Sequence, residues 1–232
     1  MPRFLTLFIL FLLALRCPAE EMGAQLFQTV CAACHGPKGE GKDDLKTPSI
    51  ANLPEWYVLR QLTNFHEGRR GENGQVDPQG ALMAAIAKTL KPEQMTAVAN
   101  HVQSLALVVP KERTLEGAQV QAGQELFYER CMECHRYNAS GEMAFGSPPL
   151  IGRQAWYLAD QLKKFKSRRR GAVHGDENGA KMVQTTNSFI EDDQMLRDVV
   201  AYIITLNPDP DASKEEQERQ IIEGSPFESA GR

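Results

Sequence analysis

Apolar residues recur every three or four positions in several stretches of this chain, which is the spacing of one face of an α-helix. In the first half, the predicted helices run from about Gly23 into Cys31, from near Pro54 through Phe65, over Ala81–Lys88 and from Pro92 to about Leu105. Loops rich in glycine and polar residues, 36–48 and 68–80, separate them. No stretch shows the alternation typical of a β-strand, so the pattern predicts an all-α fold.

The second half of the chain repeats the first at an offset of 100 residues. The residues that recur 100 positions later are Gly23, Leu26, Phe27, Trp56, Tyr57, Gln61, Leu62, Phe65, Arg69, Arg70 and Gly71. The last helix of the first half has its counterpart at about Glu191–Leu206. Repeats of solenoid proteins are much shorter, so this pattern indicates duplication of a whole domain.

The two ends of the chain fall outside the repeat. Residues 1–19 have a short positive start, an apolar run from Phe4 to Leu15 and a small residue at Ala19, which is typical of a cleaved secretory signal peptide. The alternatives are an uncleaved membrane anchor and a lipid anchor on Cys17. We therefore expect domains at 20–107 and 122–206, a linker at 108–121 and a mobile C-terminal tail at 207–232.

Charge narrows the range of partners. The chain of 232 residues has a net charge of −4, and loss of residues 1–19 would leave 24 basic against 30 acidic residues. Such an acidic chain is not expected to bind nucleic acid. One basic cluster is expected to steer a partner protein or to favour peripheral contact with a membrane: Lys163, Lys164, Lys166, Arg168, Arg169 and Arg170.

The strongest chemical signal is the pentapeptide C-x-x-C-H, which occurs at 31–35 and again at 131–135. This motif is the attachment signature of haem c, in which two cysteines bind the porphyrin and the histidine is an axial ligand of the iron. The predicted covalent sites are Cys31, Cys34, Cys131 and Cys134, and the predicted proximal ligands are His35 and His135. A zinc site, a redox dithiol and a structural disulfide are the alternatives.

A methionine in each half is the candidate for the opposite side of the iron. Met83 and Met182 both follow a glycine-rich loop, and they lie 48 and 47 residues after the motif histidine. A thioether stabilises ferrous iron and fills the sixth position. Met95 and Met195 also align, but they lie within the last helix, where packing explains them. The rival histidines have no counterparts in the other half: His66, His101 and His174.

Other matched residues are candidates for supporting roles. Pro48 and Pro148 each lie thirteen residues after the motif histidine, and their carbonyl groups are expected to accept its second ring N–H. The paired arginines at 69–70 and 169–170 are expected either to bind haem propionates or to form a solvated basic face.

Taken together, these motifs resemble the dihaem cytochromes c of the c-four group. The resemblance covers about Gly23 to Leu206 and includes a Met-x-x-x-Ala-x-x-Leu segment, which the second half changes at Thr186 and Phe189. It implies two tandem class I cytochrome c domains with His/Met iron, packed about a pseudo-two-fold axis with the haem propionates near their interface. It also implies a protein that carries electrons in the bacterial periplasm.

Three functions are compatible with a dihaem cytochrome c of this kind. The first is a carrier, not an enzyme, that passes electrons one at a time between respiratory complexes toward a terminal oxidase. The second is the electron-accepting dihaem subunit of a periplasmic dehydrogenase. The third, a dihaem peroxidase, needs an open iron site, and a methionine in each half disfavours it.

Overall fold

Helices make up nearly all the regular secondary structure of the computed structural model, which describes residues 18–71, 77–112 and 114–223. In the first half they are α1 (Pro18–Leu26), a π-helical turn (Phe27–Cys31), α2 (Ala32–His35), α3 (Glu55–His66), α4 (Pro78–Ala87) and α5 (Pro92–Ser104). In the second half they are α6 (Val120–Arg130), α7 (Met132–His135), a 3₁₀ turn (Met143–Phe145), α8 (Ala155–Lys166), α9 (Glu177–Phe189) and α10 (Asp193–Thr205), followed by α11 (Lys214–Glu223). Over the described ranges there are two isolated β-bridges and no strand, which confirms the all-α prediction.

In each half, the first and last helices cross at a glycine that both halves share. A Cβ atom on Gly23 would lie 2.2 Å from the Ala97 carbonyl oxygen, and one on Gly123 would lie 1.9 Å from that of Asp198. Both distances are far below van der Waals contact, so only glycine allows α1 to approach α5, and α6 to approach α10, this closely. The matched Gly-x-x-Leu-Phe segments therefore encode a helix crossing.

Each half has a hydrophobic core of its own. Phe27 packs in the first core with residues such as Leu62 and Val102, and Phe127 packs in the second with residues such as Val199 and Ile204. Phe27 and Phe127 are fully buried. The duplicated apolar pattern thus produces two cores, as the repeat predicts.

Each end of the chain lies only partly within the described ranges. Helix α1 already begins at Pro18, while residues 1–17 of the predicted signal peptide lie outside the described ranges. Across those ranges, no helix has both the length and the apolar character to span a membrane.

The C-terminal segment, expected to be a mobile tail, contains helix α11. The Tyr137 hydroxyl donates a hydrogen bond to the Ile222 carbonyl (2.6 Å), and the Asn138 side-chain amide donates one to the Ile221 carbonyl (2.7 Å). The Ile221 side chain packs against the second core. Residues 214–223 of the expected tail therefore form a helix that contacts the second domain, and the mobility of the tail stays a prediction. Residues 224–232 lie outside the described ranges.

The basic cluster of the second half is mostly occupied within the protein. The Lys166 ammonium group donates to carbonyl groups at Ile190 and Glu191, Lys163 lies 3.5 Å from Asp193, and Arg170 is buried. Burial takes Lys164 and Arg170 out of the expected basic surface, whereas Lys163, Arg168 and Arg169 are exposed.

One lysine of this cluster joins the two halves. Lys164 of α8 is buried and binds Asp77, the N-cap of α4, at 2.8 Å, and it also binds the more exposed Asp160 at 2.7 Å. Although burial opposes ionisation of Asp77, hydrogen bonds from Lys164 and the Gly80 N–H hold the pKa of this carboxyl below its usual range.

We predict that Asp77→Asn lowers the free energy of unfolding by about 2 kcal/mol at pH 7, because it leaves a buried ammonium group with one exposed partner. The asparagine retains the capping oxygen for Gly80. Because the folded pKa of Asp77 is depressed, its contribution is complete above the unfolded pKa of about 4 and is lost as the pH falls through the folded value.

Urea unfolding of the haem-loaded protein at several pH values measures this difference. Asp160→Asn, on the exposed side of the same lysine, is the matched control and should cost much less. An equal cost for the two variants would contradict the assignment.

Candidate haem sites

The two motif histidines occupy matched, buried positions at the ends of short helices. His35 ends α2 and His135 ends α7, and each is 6% exposed. The Nδ1 atom of His35 lies 2.9 Å from the Pro48 carbonyl oxygen. The Nδ1 atom of His135 lies 3.2 Å from the Pro148 carbonyl oxygen. These contacts confirm the predicted role of the two prolines. Because a carbonyl oxygen can only accept, Nδ1 carries the proton and Nε2 is left with a lone pair for a metal.

Burial also sets the protonation state of the motif side chains. Desolvation lowers the pKa of His135 to about 4 and lowers that of His35, against the opposing effect of the proline carbonyl groups. It raises the pKa of Cys31 to about 11 and that of Cys131 to about 12. At neutral pH the imidazoles are therefore neutral and these two thiols are protonated.

The predicted ligands of the second half converge on one apolar cavity. Cys131, His135 and Met182 all line it, and its other walls include Leu158 and Phe165. The cavity encloses about 1020 Å³ of empty space when its opening to solvent is included. A thiol for covalent attachment, a neutral imidazole and a thioether around an apolar space form the donor set that haem c requires. This site therefore fits the group.

In the first half, the corresponding residues surround the first core. Cys31 and Met83 are partly buried and pack against the same cluster, together with side chains that include Ile50, Leu59 and Leu105. His35, the last residue of α2, is buried. The structure thus places Cys31 and Met83 against one apolar cluster of the first domain, while Cys34 is exposed.

Two buried arginines meet where the halves join. The Arg70 guanidinium donates to the amide oxygens of Gln61 (2.8 Å) and Gln161 (2.9 Å) and contacts the Tyr157 hydroxyl (3.4 Å). Its counterpart Arg170 repeats this pattern, donating to Gln161 (2.7 Å), Gln61 (3.0 Å) and the Tyr57 hydroxyl (3.2 Å). The interface therefore follows the pseudo-two-fold symmetry of the repeat.

These arginines lack carboxylate partners among the described residues, since no aspartate or glutamate there lies within 4.0 Å of either guanidinium. Arg70 is 8% exposed and Arg170 is 7% exposed, and Arg170 lines the cavity of the second half. Asp77 near Arg70 and Asp176 near Arg170 offset part of each charge from beyond that distance, and a carboxylate-bearing ligand would add an anion in direct contact. Haem propionates fit this requirement, which favours the propionate alternative over the solvated basic face for Arg70 and Arg170.

The competing ligands lie elsewhere. The His66 ring contacts the Ala87 carbonyl at 3.0 Å, His101 packs against Phe27, and His174 is exposed. Cys34 and Cys134 belong to different halves, and no three His, Cys, Asp or Glu side chains of the described ranges gather around a common metal position. The zinc alternative therefore has no structural support.

Sequence reasoning missed two residues at the interface, Arg153 and Gln154. Both are buried and both hydrogen-bond to the first half beside Pro48. They stand where the first half has Leu53 and Pro54, so a search for matched residues overlooks them. The available signal was the replacement of an apolar residue and a proline in the first half by two polar residues in the second.

Comparison with known proteins decides the family. A family model described as "Cytochrome c" matches the chain twice, at residues 20–106 and 120–207. The chain belongs to the cytochrome c family. It consists of two tandem cytochrome c domains, and as a dihaem cytochrome it binds two covalently attached haem c groups and transfers electrons.

Several known cytochromes resemble this one. The thiosulfate dehydrogenase electron acceptor of Thiomonas intermedia (strain K12) is 31% identical over 170 residues, covering 70% of this chain and 73% of the relative. The cbb3-type cytochrome c oxidase subunit FixP of Bradyrhizobium sp. (strain ORS 278) is 32% identical over 149 residues, covering 62% of this chain but only about half, 48%, of that subunit. The structure of cytochrome c4 from Pseudomonas stutzeri has the same fold, with a TM-score of 0.64 at 24% identity over 82% of this chain and 98% of that one.

We predict that Met83→Leu and Met182→Leu each remove about half of the weak long-wavelength absorption band that methionine sulfur gives on ferric haem, because each variant removes one of two thioether ligands. The oxidised, haem-loaded protein provides the measurement. Met95→Leu and Met195→Leu, the aligned pair within α5 and α10, are the controls and should leave the band intact. Survival of the band in the Met83/Met182 double variant would contradict this ligand assignment.

Proposed function

We propose that this cytochrome is a periplasmic carrier, not an enzyme, which passes electrons one at a time between respiratory complexes toward a terminal oxidase. The residues proposed to hold the haem groups covalently are Cys31, Cys34, Cys131 and Cys134. The proposed axial pairs are His35 with Met83 and His135 with Met182. The observation that carries the proposal is the convergence of Cys131, His135 and Met182 on one apolar cavity.

This arrangement suits electron transfer more than catalysis. A histidine and a methionine together leave the iron no open position for peroxide, and a site held rigidly in an apolar wall needs little rearrangement between oxidation states. The haem supplies the one-electron chemistry, and the chain's own residues bind it, orient it and exclude water. A dihaem peroxidase is therefore disfavoured.

The contact between the two sites supports transfer within the chain. The cavity of the second half is also lined by first-half residues, including Ser49, Ile50 and Tyr57. Ser49 directly follows Pro48, the carbonyl partner of His35. The two haem environments therefore share a wall, which would let an electron that enters one half leave from the other.

A specific observation favours a second candidate function, the electron-accepting subunit of a periplasmic dehydrogenase. The relative from Thiomonas intermedia is named as the electron acceptor of thiosulfate dehydrogenase and matches over most of its length. In this case the electron donor would be a thiosulfate-oxidising enzyme. The two functions differ in the partner and share the haem sites.

Export to the periplasm is part of the proposal. Residues 1–19 have the sequence pattern of a signal peptide, and attachment of haem through thiols takes place in an oxidising compartment. Peripheral association with the membrane surface is the accompanying expectation.

The two halves differ at the face beside the proposed methionine ligand. Leu82 (70% exposed) and Ile86 (40% exposed) flank Met83 on α4, whereas Lys181 and Thr185 occupy the matching positions around Met182 on α9. Electron exchange needs close approach to the haem, and weak, rapidly dissociating complexes use small apolar contacts. We therefore propose that the redox partner docks on the first half with an apolar cofactor edge of its own.

To separate the two functions, we expect reductive titration to take up two electrons per chain. The reduced protein should then be reoxidised rapidly by membranes that contain a cbb3-type oxidase. If thiosulfate with thiosulfate dehydrogenase reduces it rapidly while such membranes do not reoxidise it, the dehydrogenase function is correct. Catalytic consumption of peroxide, or cyanide binding to the ferric protein at neutral pH, would contradict both.

We predict that Leu82→Glu lowers the second-order rate constant of electron exchange with the physiological partner about tenfold, because it places a charge in the apolar contact. Stopped-flow mixing measures this rate. Ile222→Glu alters an equally exposed apolar residue on α11 and serves as the control. Equal effects of the two changes would contradict docking at α4.

A further inference from the structure

The peptide group between Pro48 and Ser49 is hydrogen-bonded at both ends. Its carbonyl oxygen accepts from His35 Nδ1 (2.9 Å), and its N–H donates to Gln154 Oε1 of the second half (2.9 Å). The Gln154 amide nitrogen in turn donates to the Glu40 carbonyl (3.1 Å). Ser49 is 1% exposed and Gln154 is 6% exposed. A continuous chain of buried hydrogen bonds thus leads from the second half to the proximal histidine of the first.

The second half has no equivalent chain. The residue after Pro148 is Pro149, which has no N–H to donate. The first-half residue that matches Gln154 is Pro54, which has no side-chain acceptor. The carbonyl that accepts from His135 therefore belongs to a peptide without a donor. Its hydrogen bond is also longer, 3.2 Å against 2.9 Å.

Arg153 holds the same loop in place from the second half. Its two terminal nitrogens donate to the Ser49 carbonyl (2.6 Å) and the Ala51 carbonyl (2.7 Å) of this loop. Its Nε atom donates to the Ile151 carbonyl (3.2 Å) of its own half. The bonds to Ser49 and Ala51 hold the loop from the second half, in addition to the bonds from the Ile50 and Ala51 N–H groups to the Gly39 carbonyl within the first half.

We propose that Gln154 is a positioning residue which polarises the Pro48–Ser49 peptide and thereby lowers the reduction potential of the first-half haem. This inference rests on the proposed function, in particular on His35 as an iron ligand. Hydrogen bonds in a chain strengthen one another, so the bond from Ser49 to Gln154 makes the Pro48 carbonyl a better acceptor. An imidazole that donates more strongly is a more basic ligand, and a more basic ligand favours ferric iron.

The charge of Arg153 acts in the opposite direction. A buried positive charge favours the reduced form of any nearby haem, and Arg153 also lines the cavity of the second half. A change at Arg153 would therefore alter both haem groups and would disturb the loop. Gln154 is neutral, which makes it the residue that isolates the hydrogen-bond effect.

The test is Gln154→Met in the haem-loaded protein, which removes the acceptor and keeps a side chain of similar length. We expect the ratio of reduced to oxidised first-half haem to rise about 1.5-fold at a fixed ambient potential, because losing one bond of a chain weakens its neighbour by about 10–30%. The second-half haem should not change. A spectroelectrochemical titration measures both ratios, with each haem assigned by the NMR signal of its methionine methyl group.

A second readout comes from His35 itself. In the reduced variant, the His35 Nδ1 proton should exchange faster with water and its NMR signal should move upfield, because its acceptor is weaker. Gln154→Glu keeps an acceptor for the Ser49 N–H and makes it anionic, so the reduced fraction of the first-half haem should fall. A purely structural role would not shift the two variants in opposite directions.

Gln103→Met is the matched control. Gln103 Oε1 also accepts a backbone N–H, that of Glu55 at 2.8 Å, but at the start of α3 rather than at the proximal loop. It should leave both haem groups unchanged. An unchanged first-half haem in a fully loaded Gln154→Met protein, or equal shifts in both halves, would overturn this inference and leave the proposed function intact. By contrast, a wild-type protein in which His35 is not an iron ligand would refute the proposed function.

Discussion

The hydrogen bond from a buried imidazole to a proline carbonyl is the interaction on which each haem site depends. It fixes the proton on Nδ1 of His35 and His135 and leaves Nε2 free for iron. Burial keeps both rings neutral, so their Nε2 lone pairs are available at neutral pH. The helix crossing at Gly23 and Gly123 and the two apolar cores hold these rings in matched positions. In each domain, the helix crossing and the apolar core therefore hold one histidine in a fixed orientation.

Joining two such domains creates a requirement that neither has alone. Arg70 and Arg170 are buried at the contact and share the amide oxygens of Gln61 and Gln161, yet within the described ranges neither has a carboxylate at ion-pair distance. Neutral acceptors satisfy the N–H groups, and Asp77 and Asp176 compensate the charge only from beyond ion-pair distance. A carboxylate-bearing cofactor supplies an anion in direct contact, so haem binding and domain association are expected to stabilise each other.

Duplication gave the halves the same chemistry, and later divergence made them unequal. The second half reaches across the interface to the proximal loop of the first through Gln154, and Pro149 prevents the reverse. The first half presents Leu82 and Ile86 to solvent, while the second presents Lys181 and carries helix α11. Two haem groups with different surroundings can differ in potential and in access to partners, which gives direction to electron transfer.

The sequence by itself determined the all-α class, the duplication and the chemistry of the motifs, because helical periodicity and C-x-x-C-H spacing are local properties of the chain. Only the tertiary structure decided what lies between the halves. Lys164, read as part of a basic surface, is buried against Asp77, and residues 214–223, expected to be mobile, form a helix anchored by Ile221. These outcomes depend on contacts between residues about 85 positions apart, where burial and pairing outweigh local composition. The residues that break the repeat, such as Gln154, acquire meaning only once their partners across the interface are known.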